Sequence, residues 1–373
     1  MLVAADSEWM ARALQLAGRG IDTTTPNPRV GCVLAKDGKN IGEGWHMRAG
    51  EPHAEVHALR SAGAAVQGAT AYVTLEPCSH HGRTPPCAEA LVEAGVARVV
   101  CAMQDPNPLV AGQGIAKLRA AGIAVETGLM EAAARELNIG FVSRMTRGLP
   151  FVRSKIAASL DGRTALANGV SQWITGEAAR LDVQHWRARS CAVLTGIGTV
   201  LADDPQLNVR EIAVERQPLR VVLDSALRMS PTARMLQTLP SPSGRGGEGG
   251  VLIYTVATDA QKRDALAARG AKVCVMPAAD VRLDLTAVLR DLAQRGINEV
   301  LVEAGRILNG ALLQAGLVDE LVLYLASQLL GDAARGLADL GELTQLEQRV
   351  ALSWQDVRHV GGDLRITARI RHV

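Results

Sequence analysis

The chain is poor in aromatic residues: its 373 residues include two Phe, three Tyr and five Trp, 3% in all. So thin a supply argues against a surface of stacking platforms, the common way to hold single-stranded nucleic acid. A surplus of one charge is lacking too. Lys and Arg number 40 against 38 Asp and Glu, a formal net charge of +2, which gives no electrostatic case for nucleic acid or a membrane surface as the main partner. No apolar run reaches the length of a bilayer span. The first residues, with Asp6 and Glu8 ahead of an amphipathic run, lack the basic and apolar regions of a secretion signal. Cysteines are few and scattered, at 32, 78, 87, 101, 191 and 274, without the density of a disulfide framework. A reducing cytoplasm is the expected location.

What is present is ordinary for a globular protein: 48% hydrophobic and 21% charged residues. At this length two domains are expected rather than one core. Arg147-Gly148-Leu149-Pro150 is the boundary candidate, giving domains at 1–147 and 150–373. The Gly-, Ser- and Pro-rich stretch at 239–250 cannot bury a core and reads as a surface insertion.

In the first half, Asp6 or Ser7 is expected to cap a helix running to Arg19, with Trp9, Ala13, Leu14 and Ala17 on one face. Val30 to Ala35 and Asn40 to Trp45 read as strands joined by a turn at 36–39. Then come a helix opening at His53, a strand at Ala71 to Thr74, a helix starting at Cys87 and a strand at Val96 to Met103. A helix near Ile115, a strand at Ala124 and one helix from Glu131 to Met145 complete the half. This βαβαβ order implies a three-layer α/β sheet. The second half restarts with a strand at Phe151 and alternates strands near 193, 220, 251, 272 and 299 with helices near 260 and 284. Val350 to His359 and Asp363 to Arg371 read as an antiparallel pair. A mostly parallel sheet with an antiparallel end follows.

The chemistry concentrates at His53-Ala54-Glu55, Pro77-Cys78 and Cys87. One imidazole and two thiols suit tetrahedral zinc and leave its fourth position open to water. Glu55, two residues after a ligand, is then placed to move a proton. H-x-E followed by P-C and a second cysteine is the signature of zinc-dependent base deaminases, although there the cysteines are usually two apart and here eight residues, 79–86, separate them. Two alternatives stand beside this reading. His80 or His81 as fourth ligand would close the site into a structural zinc module, leaving Glu55 idle. His57 also lies one helical turn from His53.

The second half has no dinucleotide fingerprint, since Gly196-Ile197-Gly198 lacks the third glycine. After the strand at 220, Asp224 argues for NAD and Arg228 for NADP, so the residues alone leave the cofactor open.

The run from Glu76 to Cys87, with Asn27-Pro28-Arg29-Val30-Gly31, the segment His53 to His57, and Asp105-Pro106-Asn107-Pro108, resembles the bifunctional riboflavin-biosynthesis deaminase/reductase family. The resemblance continues through Lys155 to Thr164, Ser171-x-Trp173-Ile174-Thr175 and Gly198 to Pro205, so it covers nearly the whole chain. It implies a cytidine-deaminase-like domain followed by a dihydrofolate-reductase-like domain. Zinc would deaminate a ribosylated diaminopyrimidinone phosphate, and NADPH would reduce its ribosyl group to ribityl. Asn27, His46, His80, Arg83, Asp105 and Asn107 would surround the pyrimidine substrate, although His46 and Asn107 taken alone read as loop residues bonding to backbone. Ala157, Trp173, Thr199, Asp203, Ser225, Gly305, Arg306, Ile307 and Leu308 would hold NADPH. Ser171, Arg187, Leu207, Arg210 and Glu303 would hold the reductase substrate, with Arg187 and Arg210 as phosphate forks. The expected partner is the small phosphorylated substrate alone, with no nucleic acid or membrane, in a homo-oligomer (dimer or tetramer). The competing function is a cytidine- or tRNA-adenosine-type deaminase fused to an unrelated binding domain.

Overall fold

A computed structural model describes residues 2–79, 86–237, 249–277 and 281–371. Most of the 239–250 stretch lies outside the described residues. The chain divides into two compact units, Met1–Leu149 and Pro150–Val373.

The first unit runs α1 (Ala4–Gly18), β1 (Gly31–Lys36), β2 (Lys39–Trp45), α2 (Ala54–Ala62), β3 (Thr70–Val73), α3 (Cys87–Glu93), β4 (Arg98–Cys101), α4 (Gln113–Ala120), β5 (Ala124–Thr127), α5 (Glu131–Leu137) and α6 (Ile139–Arg147). Its sheet has the order β2-β1-β3-β4-β5. The β1 strand is antiparallel to both neighbours, while β3, β4 and β5 are parallel. Strand residues alternate between two cores. Leu34, Val73 and Val99 pack with Ala54, Ala58, Leu91 and Leu118 of α2, α3 and α4. Val33, Tyr72 and Val100 pack with Met10, Ala13 and Leu16 of α1 and Ala134 of α5. Each fully buried Leu or Val contributes roughly 1.5–3 kcal/mol, and the result is the expected three layers.

Three local expectations are corrected. Helix α1 begins at Ala4 with Val3 as its cap. Asp6 sits inside the first turn, buried, accepting from Val3 N (2.7 Å), the Tyr72 hydroxyl (2.6 Å) and both Arg98 Nη atoms (2.8 and 2.9 Å). That fork holds its carboxyl far below the usual range. The buried face of α1 follows Met10, Ala13, Leu16 and Ala17, with Trp9 and Leu14 on its flank. The expected single helix at 131–145 is two helices broken at Asn138, whose side chain accepts from Arg29 N (2.7 Å) and donates to Arg29 O (2.9 Å).

The second unit runs β6 (Phe151–Ser159), β7 (Arg163–Ala165), α7 (Glu177–Arg189), β8 (Ala192–Gly196), α8 (Ile197–Asp203), β9 (Leu219–Leu223), β10 (Val251–Thr255), α9 (Ala260–Ala267), β11 (Ala271–Val275), α10 (Leu285–Gln294), β12 (Glu299–Val302), α11 (Arg306–Gln314), β13 (Glu320–Ala326), β14 (Arg335–Gly336), β15 (Leu352–Val360) and β16 (Asp363–Ile370). The large sheet has the order β11-β10-β9-β8-β12-β6-β13-β16-β15. It is parallel from β11 to β13 and antiparallel at β13–β16 and β16–β15. The antiparallel end is as expected; α7, α8, α11, β7, β13 and β14 are additions.

This order creates a switch point. From β8 the chain moves outward to β9, whereas from β12 it crosses to β13 on the far side of β6. Connections leaving neighbouring strand ends in opposite directions open a crevice at the carboxyl edge of the sheet, where open α/β sheets bind ligands.

Candidate active sites

In the first unit, α2 lies unusually close to β2. A Cβ at Gly42 would stand 2.5 Å from Ala58 O, and one at Gly44 2.6 Å from Ala54 O. Only glycine lets the helix sit there, and this seat fixes His53, which is the N-cap of α2 rather than its first residue. Cys78 follows β3, and Cys87 is the first residue of α3. His53 Nδ1 lies 3.6 Å from Cys78 Sγ and 3.3 Å from Cys87 Sγ, and Cys87 N donates to Cys78 Sγ at 3.3 Å. The three ligand atoms all lie within 4.8 Å of one another.

The donor chemistry fits zinc. Hydrogen bonding to Cys87, then to His53, pushes the Cys78 thiol down to about 4, while the same bond and burial push Cys87 up. Two sulfurs and an imidazole converge on one point, and a dication satisfies all three donors at once. Glu55 is 3% exposed, and burial raises its carboxyl to about 7. His57 does not join the cluster. His80 and Arg83, and His81 of the four-ligand alternative, lie outside the described residues.

His46 packs edge-on against His53 with ring centroids 5.3 Å apart. Its Nδ1 lies 3.2 Å from Pro52 O and its Nε2 3.1 Å from Asn27 Nδ2. With the carbonyl as acceptor, Nδ1 carries the proton and Nε2 accepts from Asn27, an assignment made from the bonding pattern. Burial lowers the pKa of His46. Asp105 and Asn107 lie on the turn between β4 and α4. There Asp105 Oδ1 accepts from Asn107 N (2.8 Å) and Asn107 Oδ1 from Leu109 N (3.1 Å). That turn is held by Glu76, a residue given no role above.

In the second unit a cleft of about 1580 Å³ opens at the switch point. Ala157, Trp173, Thr199, Asp203, Ser225 and Gly305 to Leu308 all line it, as do Ser171, Arg187, Leu207, Arg210 and Glu303. The segment after Glu303 is not a loop: Gly305 caps α11, and Arg306 opens it. Gly196 likewise caps α8. Both caps line the cleft and neither has a side chain to bond the first-turn N–H groups, an arrangement suited to phosphate oxygens.

Two readings change here. Asp224 is fully buried, with Oδ2 accepting from Met229 N (2.8 Å), so it does not face a ribose; Ser225 and Arg228 line the cleft instead. The fork of Arg187 is already engaged, with Nε 2.5 Å and Nη2 2.9 Å from the Glu303 carboxylate and Nη1 3.0 Å from Asn208 O. Lys155 Nζ stands 3.8 Å from the same carboxylate. Burial works against the charge on Glu303, but Arg187 and Lys155 outweigh it and hold the carboxyl at about 2. The residue patterns alone give Lys155 no role. Its signal was the strand period, which puts it on the same face of β6 as Ala157.

A zinc-type deaminase centre and a crevice at the carboxyl edge of a parallel sheet define the class: a hydrolytic deaminase joined to a reductase. Residues 3–103 match the family described as cytidine and deoxycytidylate deaminase zinc-binding region, and residues 150–366 match the RibD C-terminal domain. The riboflavin biosynthesis protein RibD of Escherichia coli (strain K12) is 51% identical over 96% of this chain and 98% of its own length. That of Bacillus amyloliquefaciens is 44% identical over 96% and 95%. Among solved structures, Acinetobacter baumannii RibD, form 1, shares 48% identity with a TM-score of 0.90, covering 99% of each chain. A Thermotoga maritima diaminohydroxyphosphoribosylaminopyrimidine deaminase/reductase shares 33% identity with a TM-score of 0.85, covering 98% of this chain and 99% of its own. The chain belongs to the RibD family, the bifunctional deaminase/reductases of riboflavin biosynthesis. It carries a deaminase zinc-binding region in the first unit and a RibD C-terminal reductase domain in the second.

Proposed function

We propose that the first unit deaminates a diaminohydroxyphosphoribosylaminopyrimidine and that the second reduces the resulting aminouracil's ribosyl group to ribityl. The observation that carries the reading is the convergence of His53, Cys78 and Cys87 beside a buried Glu55, in a chain whose second unit holds the cleft.

His53, Cys78 and Cys87 would hold zinc, which would supply the Lewis acidity that lowers the pKa of water to roughly 7. Glu55 is the group placed to hold and pass the proton between the attacking water and the departing amine, the C–NH2 bond being replaced by a carbonyl with loss of ammonia. A carboxyl poised near neutrality suits both transfers. Asn27, His46, Asp105 and Asn107 would contact the pyrimidine substrate, and the family resemblance gives the same role to His80 and Arg83.

The cleft would hold NADPH, which would supply a hydride for reducing the open-chain ribosylamino group to ribitylamino, the matching proton coming from solvent. Ala157, Trp173, Thr199, Asp203, Ser225 and the first turn of α11 hold it, with Arg228 beside Ser225 for a 2′-phosphate. Ser171, Leu207 and Arg210 hold the substrate, while Arg187 acts through Glu303 by keeping its carboxylate charged and oriented. A cytoplasmic home is proposed from the cysteine usage, since none of the six cysteines forms a disulfide. A homo-oligomer, dimer or tetramer, is expected, and sedimentation measures it.

The test supplies the deaminase substrate with and without NADPH and identifies products by mass. Without NADPH the deaminated ribosyl compound should accumulate; with it, the ribityl compound. Ammonia release from cytidine or adenosine, and none from this pyrimidine, would overturn the reading.

A further inference from the structure

We propose that Glu76 is the positioning residue of the deaminase centre, its carboxylate fixing the turn that carries Asp105 and Asn107 relative to Cys78. The inference rests on the reading that this turn meets the substrate. Glu76 is 5% exposed, one residue before Pro77 and two before Cys78. Its two oxygens accept four backbone N–H groups. Oε2 takes Asp105 N (3.1 Å) and Gly112 N (2.9 Å), and Oε1 takes Gly114 N (2.9 Å) and Ile115 N (3.1 Å). Glu76 N also donates to Met103 O at 3.0 Å. One residue therefore holds the segment from 103 to 115 at both ends.

The chemistry selects a carboxylate. An ionised carboxyl only accepts, with room for about four hydrogen bonds, and four donors are present. Two of them belong to the first turn of α4, whose cap is Gly112 and has no side chain of its own to offer, so a negative charge brought from 36 residues earlier caps it and meets the positive end of the helix. An amide in its place would turn an N–H2 group towards two N–H donors.

The contact is also tight. A Cβ at Gly114 would stand 1.9 Å from Pro77 O and 3.2 Å from Glu76 Cγ, so α4 begins directly against the segment that delivers Cys78. From Asp105 N the order passes on through Asp105 Oδ1 to Asn107 N. A displaced Glu76 carboxylate therefore moves both side chains of the turn together. Binding depends on where those side chains stand; proton transfer at Glu55, carried on α2, does not.

The test uses the full-length, zinc-loaded chain with Glu76→Gln, Glu76→Asp and, as reference, Asn107→Ala. Ammonia release is measured against concentration of the diaminopyrimidine, together with zinc per chain and reduction of the deaminated product. Both Glu76 variants should raise KM about tenfold or more, as expected for losing hydrogen bonds to a charged group, with kcat within about threefold of wild type, and with zinc and reduction unchanged. A merely structural role would lower the active fraction, so kcat would fall at constant KM. That result, or loss of zinc in both variants, overturns the proposal. If Asn107→Ala raises KM and the Glu76 variants do not, Glu76 alone is refuted. If none of the three moves KM, the turn is no part of the substrate site and the proposal falls with that reading.

Discussion

Glu55 and Arg187 are both buried charged residues, yet their surroundings assign them different work. Glu55 has its carboxyl raised to about 7 by burial, as suits a group that must hold and release a proton. Glu55→Gln should therefore keep zinc but slow ammonia release by roughly 10²- to 10⁴-fold, whereas Cys78→Ser should lose the metal. Zinc analysis beside an ammonia assay separates the two. Arg187 was expected to grip phosphate, and the structure turns its Nε and Nη2 towards the Glu303 carboxylate. Removing one partner of a buried pair costs about 3–5 kcal/mol, so Arg187→Ala should abolish reduction and lower the melting temperature of the second unit. A phosphate contact alone would instead raise KM at unchanged stability. The pH dependence follows in sign. Glu303 lies at about 2 when folded against 4.5 for an ordinary glutamate. The depressed value means that its stabilising effect is present above 4.5 and is lost as pH falls from there towards 2. Thermal melts of the second unit across that window should show a fall that is shallower in Arg187→Ala.

At the scale of elements, the seat of α2 on two glycines makes a local prediction. Gly44→Ala brings a Cβ to 2.5 Å from His57 Cβ and 2.6 Å from Ala54 O, and overpacking of this kind typically costs about 1–3 kcal/mol. Because α2 is capped by a zinc ligand, the variant should bind zinc more weakly in a chelator competition while reducing normally; unchanged competition would show that the helix relaxes without moving His53. The β1–β2 hairpin, α2 and the β15–β16 pair were legible because alternation and turn chemistry are written locally. Helix α7 was not, since its buried face is Ala179, Val183, Gln184, Arg187 and Ala188, with too few large apolar residues for periodicity to register. The β13 strand, Glu-Leu-Val-Leu-Tyr-Leu-Ala, is buried along nearly its whole length and so lacks the alternation that marks a half-exposed strand. Asn138 breaks a stretch of helix formers only because Arg29, 109 residues away, takes both ends of its amide. In the site the same division holds. The metal cluster could be named from residue spacing, and the cleft lining only from the family resemblance. The Glu303 partner of Arg187 and the four donors on Glu76 depend on long-range pairing that no local pattern encodes.

At the scale of the molecule, every residue of the metal cluster belongs to the unit Met1–Leu149, and Arg187, Lys155 and Glu303 belong to Pro150–Val373. Each unit has its own sheet and its own buried cores, so disabling one chemistry leaves the other's structural basis in place. Arg187→Ala should accordingly release ammonia at the wild-type rate while making no ribityl product, and Glu55→Gln should reduce the deaminated compound when it is supplied. Mixing the two variants should then restore the full conversion, with a lag that shortens as total protein rises because the intermediate must diffuse between molecules. Mass analysis of each variant and of the mixture reads all three outcomes. Loss of ammonia release in Arg187→Ala that still holds zinc would show that the deaminase centre depends on the second unit, and the assignment of one chemistry to each unit would have to be abandoned.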